Sequence, residues 1–153
     1  MATIALSMIL SANPSLAKVD PSQEVKHNDY EIECLTQAIY FESRGEPIAG
    51  QLAVGLVTIN RKNSGLFPDT ICEVTRQKTP VCQYSWYCDG KSDKVPNNKE
   101  GKLARALAIG LLTSEVEDIT GGALFFHADY VNPGWTNLEK TIEIGAHVFY
   151  RRI

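Results

Sequence analysis

The sequence lacks the features that mark several large functional classes. Its 153 residues contain no H-E-x-x-H motif, with which zinc peptidases and amidases hold their metal. The four cysteines form no C-x-x-C pair of the kind found in zinc and redox sites. Lys and Arg number 15 against 18 Asp and Glu, a formal charge of -3. Because nucleic-acid binding needs clustered cations, we predict no nucleic-acid partner, and we also predict no metal and no cofactor.

Hydrophobic runs long enough to cross a bilayer are absent as well. Residues 4–10 are apolar but too few to span one, so we expect no stable membrane insertion. Small residues, Ser15 and Ala17, follow at the positions that a signal peptidase reads. We therefore predict a secretory signal over residues 1–17, although its usual cationic start is missing, and a secreted, periplasmic or cell-wall location. The alternative is a loosely packed N-terminal tail.

The cysteines are few but even in number, and Cys34, Cys72, Cys82 and Cys88 allow three pairings. Cys82 and Cys88 lie close together in a turn-rich segment, where they can close a short ring, and Cys34 would then pair with Cys72. We favour these two disulfides because small exported domains are often stabilised in this way. The alternative is four free, buried thiols in a cytosolic protein.

Apolar spacing predicts a mainly helical α+β domain with a small antiparallel sheet near the C-terminus. Residues 18–28 have no period and are interpreted as a linker, which leaves residues 29–153 as one domain. The second helix is apolar on most sides, so we expect it to be the central one. The predicted elements are helices at 28–45, 47–62, 70–76 and 99–113, a disulfide-tied loop at 77–98 with an extended stretch near 83–87, and strands at 123–127 and 140–151.

The first helix carries a carboxylate in an unexpected place. Leu35 and Ile39 define its apolar face, and Glu42 continues the same stripe at the helix end. Burial without an adjacent cation raises the pKa of a carboxyl group, as a general acid near neutral pH requires. The alternative is that Glu42 pairs with Arg44 or bonds to the helix that follows. Glu46 precedes the second helix, where an acid suits the helix N-terminus.

Several short strings of sequence resemble the cell wall hydrolase family of SleB and CwlJ, which includes spore cortex-lytic enzymes and relatives in Gram-negative bacteria and phages. Similar blocks follow one another in family order over residues 30–152. The strings are Ala38–Pro47, Gly50–Val54, Asn60-Arg61, Phe67-Pro68 with Ile71, Gln83–Trp86, Asp89-Gly90, Ala123–His127, Pro133 with Trp135, and Ile144-Gly145 with His147 and Phe149.

The resemblance implies a lysozyme-like, lytic-transglycosylase-like domain with a substrate groove between its helical part and its small sheet. Glu42 matches the family's single essential glutamate, which would protonate the glycosidic oxygen between N-acetylmuramic acid and N-acetylglucosamine. The implied partner is the peptidoglycan polysaccharide, acted on by a monomer. A phage-encoded lysin and a bacterial enzyme fit the sequence equally.

The resemblance leaves the route of cleavage open. A hydrolysing muramidase needs a second carboxylate roughly 5 to 10 Å from the acid, and Glu46 and Asp89 are the candidates. Relatives are held to act as lytic transglycosylases, in which the sugar's own 6-hydroxyl attacks and leaves a 1,6-anhydro end. We favour this second route because no second acid is clearly placed. A non-catalytic wall-binding protein is a further alternative, although Glu42 is intact.

The remaining candidate residues are polar and aromatic. Gln51 and Thr58 share one face of the second helix, and aromatic side chains of the loop and strand ends, Tyr130 among them, can stack on sugars or pack in the core. His127 and His147 lie on neighbouring predicted strands, but with no third ligand nearby we favour structural roles over a metal site. The predicted substrate-binding residues are Gln51, Thr58, Tyr84, Trp86, Phe126, His127 and Trp135.

Overall fold

A computed structural model describes the backbone of residues 21–153 and the side chains of residues 28–153. The predicted signal segment, residues 1–17, lies outside the described residues. The described chain forms helices α1 (Pro21–Ser43), α2 (Ile48–Asn63), α3 (Ile71–Thr75) and α4 (Lys99–Thr113), then strands β1 (Phe125–Ala128), β2 (Leu138–Ile144) and β3 (His147–Arg152). This is the predicted α+β class. None of the helices in residues 21–153 has the length and apolar content that crossing a bilayer requires.

The helix ends follow local sequence signals. Gly45 has a φ of +88°, the left-handed conformation that commonly ends a helix, and α1 stops two residues before it. Thr70 caps α3 and Asn98 caps α4 by accepting hydrogen bonds from backbone amides of the first turn. However, α1 begins at Pro21, so residues 21–28 of the predicted linker 18–28 are helical rather than irregular. Residues 28–30 are exposed. A helical turn that faces solvent carries no apolar stripe, so apolar spacing does not reveal this start of the helix.

Helix α2 is the centre of the domain, as its apolar sequence predicted. On one side it contributes Leu56 to a cluster formed with α1, α3 and α4. On the other side it places Val54 and Val57 against Phe149 of β3. The domain therefore has a helical half and a sheet half, and α2 belongs to both.

The strands form one antiparallel sheet in the order β1-β3-β2. The prediction of a single strand over residues 140–151 is wrong, because the chain turns back between β2 and β3. Gly145 has a φ of +59° at this turn, which a side chain would disfavour. A hairpin of two alternating strands shows nearly the same spacing as one longer strand, so the alternation alone did not reveal the turn.

Both predicted disulfides are present, Cys34–Cys72 and Cys82–Cys88. The predicted extended stretch near residues 83–87 is wrong, since Ser85–Cys88 forms a 3-10 turn. Six extended residues would separate two Cα atoms by about 20 Å, whereas those of Cys82 and Cys88 lie 6.3 Å apart. The ring that the disulfide closes is therefore too short to contain a strand.

Asp118 fastens the connection between α4 and β1 to the central helix. Its carboxylate accepts hydrogen bonds from the backbone amides of Thr120 and Gly122, each at 2.9 Å, and from Nδ2 of Asn60 at 3.0 Å. Partial burial alone would raise the pKa of Asp118, but the bond from the Thr120 hydroxyl and these other bonds outweigh it and hold the pKa below its usual value. The Asn60 side chain also donates to the carbonyl of Ala123 at 3.1 Å. The start of β1 is thereby aligned on α2.

The close approach of α1, α2 and α4 depends on Gly55. A Cβ at this position would lie 2.5 Å from Cδ1 of Leu111 and 3.1 Å from Cδ1 of Ile39. We predict that Gly55→Ala lowers the free energy of unfolding by about 0.5–2 kcal/mol, because overpacking of the core outweighs the gain in helix propensity. Urea unfolding followed by tryptophan fluorescence measures this, with the disulfides kept intact.

Gly110→Ala is the matched control, since it also places a methyl on a helix but meets nothing within 4 Å. It should raise the free energy of unfolding by about 0.5–1 kcal/mol through helix propensity. Equal stability of the two variants would contradict the close packing of the three helices at Gly55.

Candidate active site

Glu42 lies in the last turn of α1, one residue before the helix end. Leu35 and Ile39 on the same stripe are fully buried, so the expectation that Glu42 continues a buried face is confirmed, although Glu42 itself is only half-buried. Burial raises the pKa of its carboxyl from 4.5 to about 7, against an opposing effect of the Arg61 charge. At neutral pH the group therefore holds a proton in a large fraction of molecules, as a general acid must.

Arg44 does not form the ion pair that was the alternative role for Glu42. Its guanidinium instead lies over the rings of Tyr40 and Phe41, 5.0 and 5.9 Å from their centroids. Within the part of the chain that the structure describes, the ion pairs closer than 4.0 Å join Glu33 with Arg105, Lys140 with Glu143, and Glu139 with Arg151. The raised pKa of Glu42 is consistent with this absence of a close cation.

Arg61 of α2 is the cation that the sequence interpretation did not place near Glu42. It is 5% exposed, and its Nε donates to the carbonyl of Leu124 at 2.7 Å. Its guanidinium lies 5.0 to 5.8 Å from the ring centroids of Phe67, Tyr84 and Phe125. Arg61 lowers the pKa of Glu42 without forming an ion pair with it within 4.0 Å, so burial remains the larger effect on this carboxyl.

A signal for Arg61 was present in the sequence. Val54, Thr58 and Arg61 follow the spacing i, i+4 and i+7 on a helix that is apolar nearly all round. All three are buried, so Arg61 is a charge on a core stripe, just as Glu42 continues the apolar stripe of α1. The same criterion, applied to both helices, finds both residues.

Four of the predicted substrate-binding residues are buried, and we correct those predictions. The hydroxyls of Thr58 and Tyr84 bond to each other at 2.8 Å, with both side chains fully enclosed. Trp86 is buried and stacks on Phe41 with ring centroids 5.2 Å apart. Gln51 is buried and donates to the carbonyl of Glu46 at 3.0 Å. These side chains are enclosed by the rest of the protein and have almost no exposed surface that could contact a sugar.

The aromatic residues near the sheet fall on two faces. Phe126 belongs to the inner face, where it is half-buried and packs on Phe149 with ring centroids 5.8 Å apart, and its role as a sugar contact stays a prediction. Trp135 packs edge-on against His127 and Tyr150 on the outer face, and it remains 39% exposed. Tyr130 is 87% exposed. Trp135 and Tyr130 are the most exposed of the predicted aromatics.

His127 and His147 do not converge. The pairing of Ala128 with His147 puts the two histidines on opposite faces of the sheet, so they cannot share a metal ion. The nitrogens of His127 are both engaged, Nδ1 with the carbonyl of Ala128 at 2.7 Å and Nε2 with the Tyr150 hydroxyl at 3.0 Å. A carbonyl only accepts, so Nδ1 donates and Nε2 accepts in the neutral ring. Burial lowers the pKa of His147.

The two candidate second carboxylates occupy different surroundings. Glu46 accepts a hydrogen bond from the backbone amide of Ala146 at 2.9 Å, which joins the α1–α2 turn to the β2–β3 hairpin. Asp89 is exposed, and its carboxylate accepts from the backbone amide of Lys91 at 2.8 Å within its own turn. Glu46, which is close to Glu42 in the chain, is thus bonded to the hairpin. Asp89 lies at the surface of the loop.

Comparison with known proteins agrees with this architecture. A family model described as Cell Wall Hydrolase matches residues 45–150, more than half of the chain. The chain belongs to the cell wall hydrolase family. The matched range begins just after Glu42, so the role of that residue depends on the geometry described above.

Known proteins are similar over most of this chain. A spore cortex-lytic enzyme of Oceanobacillus iheyensis is 35% identical over 86% of this chain and 44% of its own length. One of Halalkalibacterium halodurans is 34% identical over 80% of this chain and 35% of its own length. The chain thus spans less than half the length of these relatives.

Two solved structures share the fold. The catalytic domain of the Bacillus cereus SleB protein has a TM-score of 0.61 at 29% identity, covering 80% of this chain and 91% of that domain. The catalytic domain of the germination-specific lytic transglycosylase SleB from Bacillus anthracis has a TM-score of 0.63 at 32% identity, covering 79% of this chain and 93% of that domain. The helical half and the small antiparallel sheet therefore form a SleB-like catalytic domain.

The raised pKa of Glu42 predicts a pH-dependent stability effect. A carboxyl whose pKa rises from 4.5 to about 7 on folding favours the folded state at low pH, and this contribution is lost as pH rises toward 7. We expect Glu42→Gln to be more stable than the wild type at pH 8, on the order of 1–3 kcal/mol, and similar to it at pH 4. Urea unfolding at both pH values measures the difference. A variant less stable than the wild type at pH 8 would contradict the burial of this carboxyl.

Proposed function

We propose that this protein cleaves the glycan strands of peptidoglycan between N-acetylmuramic acid and N-acetylglucosamine, with Glu42 as the general acid and base. The observation that carries the proposal is the half-buried carboxyl of Glu42, whose pKa is raised to about 7 at the end of α1. Membership of the cell wall hydrolase family supports the substrate. The likeness to a germination-specific lytic transglycosylase supports the reaction class.

The reaction that fits one carboxyl group is an intramolecular transfer. Glu42 gives its proton to the glycosidic oxygen, and the bond between that oxygen and C1 of the muramic acid breaks. The 6-hydroxyl of the same sugar then attacks C1, and its proton passes to the Glu42 carboxylate. The products are a free 4-hydroxyl on one fragment and a 1,6-anhydromuramic end on the other. Glu42 ends protonated, as it began, and no water is consumed.

The surroundings of the other acids favour this route over hydrolysis. A hydrolysing enzyme of this kind uses a second carboxylate as nucleophile or base. Glu46 already accepts the amide hydrogen of Ala146, and Asp89 is bound within its own exposed turn. Hydrolysis by a muramidase using either acid is the second candidate function.

Sugar contact is assigned to the exposed aromatic side chains. Trp135 is held edge-on by His127 and Tyr150 while part of its ring stays open to solvent. An immobilised ring of this kind can stack on the apolar face of a sugar at little cost in side-chain entropy. We propose Trp135 as a subsite residue and Tyr130 as a second, more loosely held one.

The location and state of the protein follow from the same proposal. Peptidoglycan lies outside the cytoplasm, and the two disulfides are typical of exported domains. We propose that the protein is exported, with residues 1–17 as the signal segment and residues 29–153 as the catalytic domain. We further propose that it acts on peptidoglycan as a monomer.

Glu42→Gln tests the proposed acid. We expect the wild type to release soluble fragments with anhydromuramic ends from purified peptidoglycan, and the variant to release about 10²-fold fewer or none, because the amide cannot donate the proton. Mass spectrometry of the fragments measures both yield and chemistry. Glu100→Gln, an exposed glutamate on α4, is the matched control and should act like the wild type. Undiminished cleavage by Glu42→Gln would overturn the assigned role.

Glu46→Gln and Asp89→Asn separate the two routes. The amide oxygen of a glutamine can still accept from Ala146, so the hairpin contact should survive in Glu46→Gln. We expect each variant to lose less than about tenfold in rate and to keep anhydro products, whereas loss of a catalytic base costs about 10²–10⁴-fold. The same mass-spectrometric assay distinguishes them. Reducing ends from the wild type, together with a large loss in one variant, would instead establish hydrolysis.

A further inference from the structure

Arg61 is a buried charge whose burial is not explained by an ion pair. It is 5% exposed, and in residues 28–153 the ion pairs within 4.0 Å all lie elsewhere. Burying an arginine without a carboxylate partner is costly, since the charge loses its hydration. One buried nitrogen, Nη1, has no hydrogen-bond partner among the described residues. Packing alone does not explain why a charge with this free-energy cost of desolvation is buried here.

The surroundings fix the guanidinium in one place. Its Nε donates to the Leu124 carbonyl at 2.7 Å, and the rings of Phe67, Tyr84 and Phe125 surround it at 5.0, 5.3 and 5.8 Å. Aromatic rings attract a cation through their negative faces, and they replace part of the lost hydration. The charge is therefore held rigidly and shielded from water.

Glu42 lies within the field of this charge. The two residues are on helices that pack together. The Arg61 guanidinium lies 5.3 Å from the ring centroid of Tyr84. Tyr84 packs in one buried cluster with Ala38, one helical turn before Glu42. The charges of both Arg61 and Glu42 affect the pKa of Tyr84. No ion pair closer than 4.0 Å joins them, so the interaction acts at longer range through the protein interior, where it is weakly screened. Arg44, on the same helix as Glu42, is instead stacked on Tyr40.

We propose that Arg61 is a positioning residue for Glu42, a buried permanent cation that stabilises the carboxylate formed when Glu42 gives up its proton. Its catalytic consequence rests on the proposed function, but the electrostatic pairing does not. Burial alone favours the protonated form and makes Glu42 a weaker acid. A fixed cation at moderate distance lets the carboxylate form and later accept the 6-hydroxyl proton. A contact ion pair would hold Glu42 ionised at rest and remove its acid role.

The first test needs no activity and no change at Arg61. The Nε–H of Arg61 is buried and bonded to Leu124, so its NMR signal should be protected from solvent exchange. We expect its nitrogen or proton shift to titrate with a midpoint near pH 7 in the wild type, matching the pKa of about 7 of Glu42. The titration should disappear in Glu42→Gln. An Arg61 signal that does not titrate, or that titrates equally in the variant, overturns the proposal.

The second test separates charge from packing. Arg61→Gln keeps a hydrogen-bond donor without charge, and Arg61→Lys keeps the charge without the planar group. Removing the cation raises the pKa of Glu42. The alkaline limb of the pH–rate profile, where cleavage slows as Glu42 loses its proton, should therefore shift by about one unit to higher pH in Arg61→Gln. The limb should stay near its wild-type position in Arg61→Lys. If both variants are merely less stable and the limb does not move, Arg61 has only a structural role.

The two proposals fail in distinguishable ways. If the wild type releases no glycan fragments, the proposed function is wrong, while the NMR titration still decides whether Arg61 responds to Glu42. If the glycan is cleaved and Arg61 does not titrate, the proposed function stands and the role of Arg61 falls. Melting temperatures of both Arg61 variants show whether they fold, and if Arg61→Gln does not, the NMR titration of the wild type and Glu42→Gln alone decides the role of Arg61.

Discussion

The structure depends on one constraint, which is that α2 is packed on both sides and still carries polar side chains. A buried polar group without a partner is costly, so each of these side chains must be satisfied by another element. The partners come from the turn before α2, the disulfide loop, the α4–β1 connection and the start of β1. The bonds run from Gln51 to Glu46, Thr58 to Tyr84, Asn60 to Asp118 and Arg61 to Leu124. One helix thereby aligns most of the surroundings of Glu42.

The same burial sets the electrostatics of Glu42. Enclosure by the helices raises the pKa of the carboxyl, and the buried charge of Arg61 limits how far it rises. Tyr84 shows the same balance, since burial raises the pKa of its hydroxyl and Arg61 opposes the rise. Neither effect needs a direct ion pair, because the low polarity of the interior lets a charge act over a distance. Packing and acid strength are thus two results of one arrangement.

Periodicity in the sequence predicted the elements well and their contacts less well. The bounds of α4, the central position of α2 and the burial of the stripe leading to Glu42 all followed from apolar spacing. The split of the last strand at Gly145 did not, because a hairpin and a long strand alternate alike. Spacing along one element also cannot say which distant group satisfies a polar side chain. For that reason the sequence predicts Thr58 and Tyr84 as sugar contacts, whereas in the structure their hydroxyls are hydrogen-bonded to each other.

The hairpin turn between β2 and β3 gives Glu46 a structural partner. Glu46 is committed to the Ala146 amide, and this contact requires that residue 145 have no side chain, since a Cβ there would collide with the Glu46 carboxylate. The φ of +59° at Gly145 favours glycine independently. Two separate features of the backbone thus hold Glu46 in a structural role, although it lies four positions from Glu42 in the sequence. In the proposed reaction the substrate supplies its own nucleophile, the 6-hydroxyl, which needs neither a second carboxylate nor a water molecule. The bond of Glu46 to the hairpin and the exposed turn of Asp89 support that proposal.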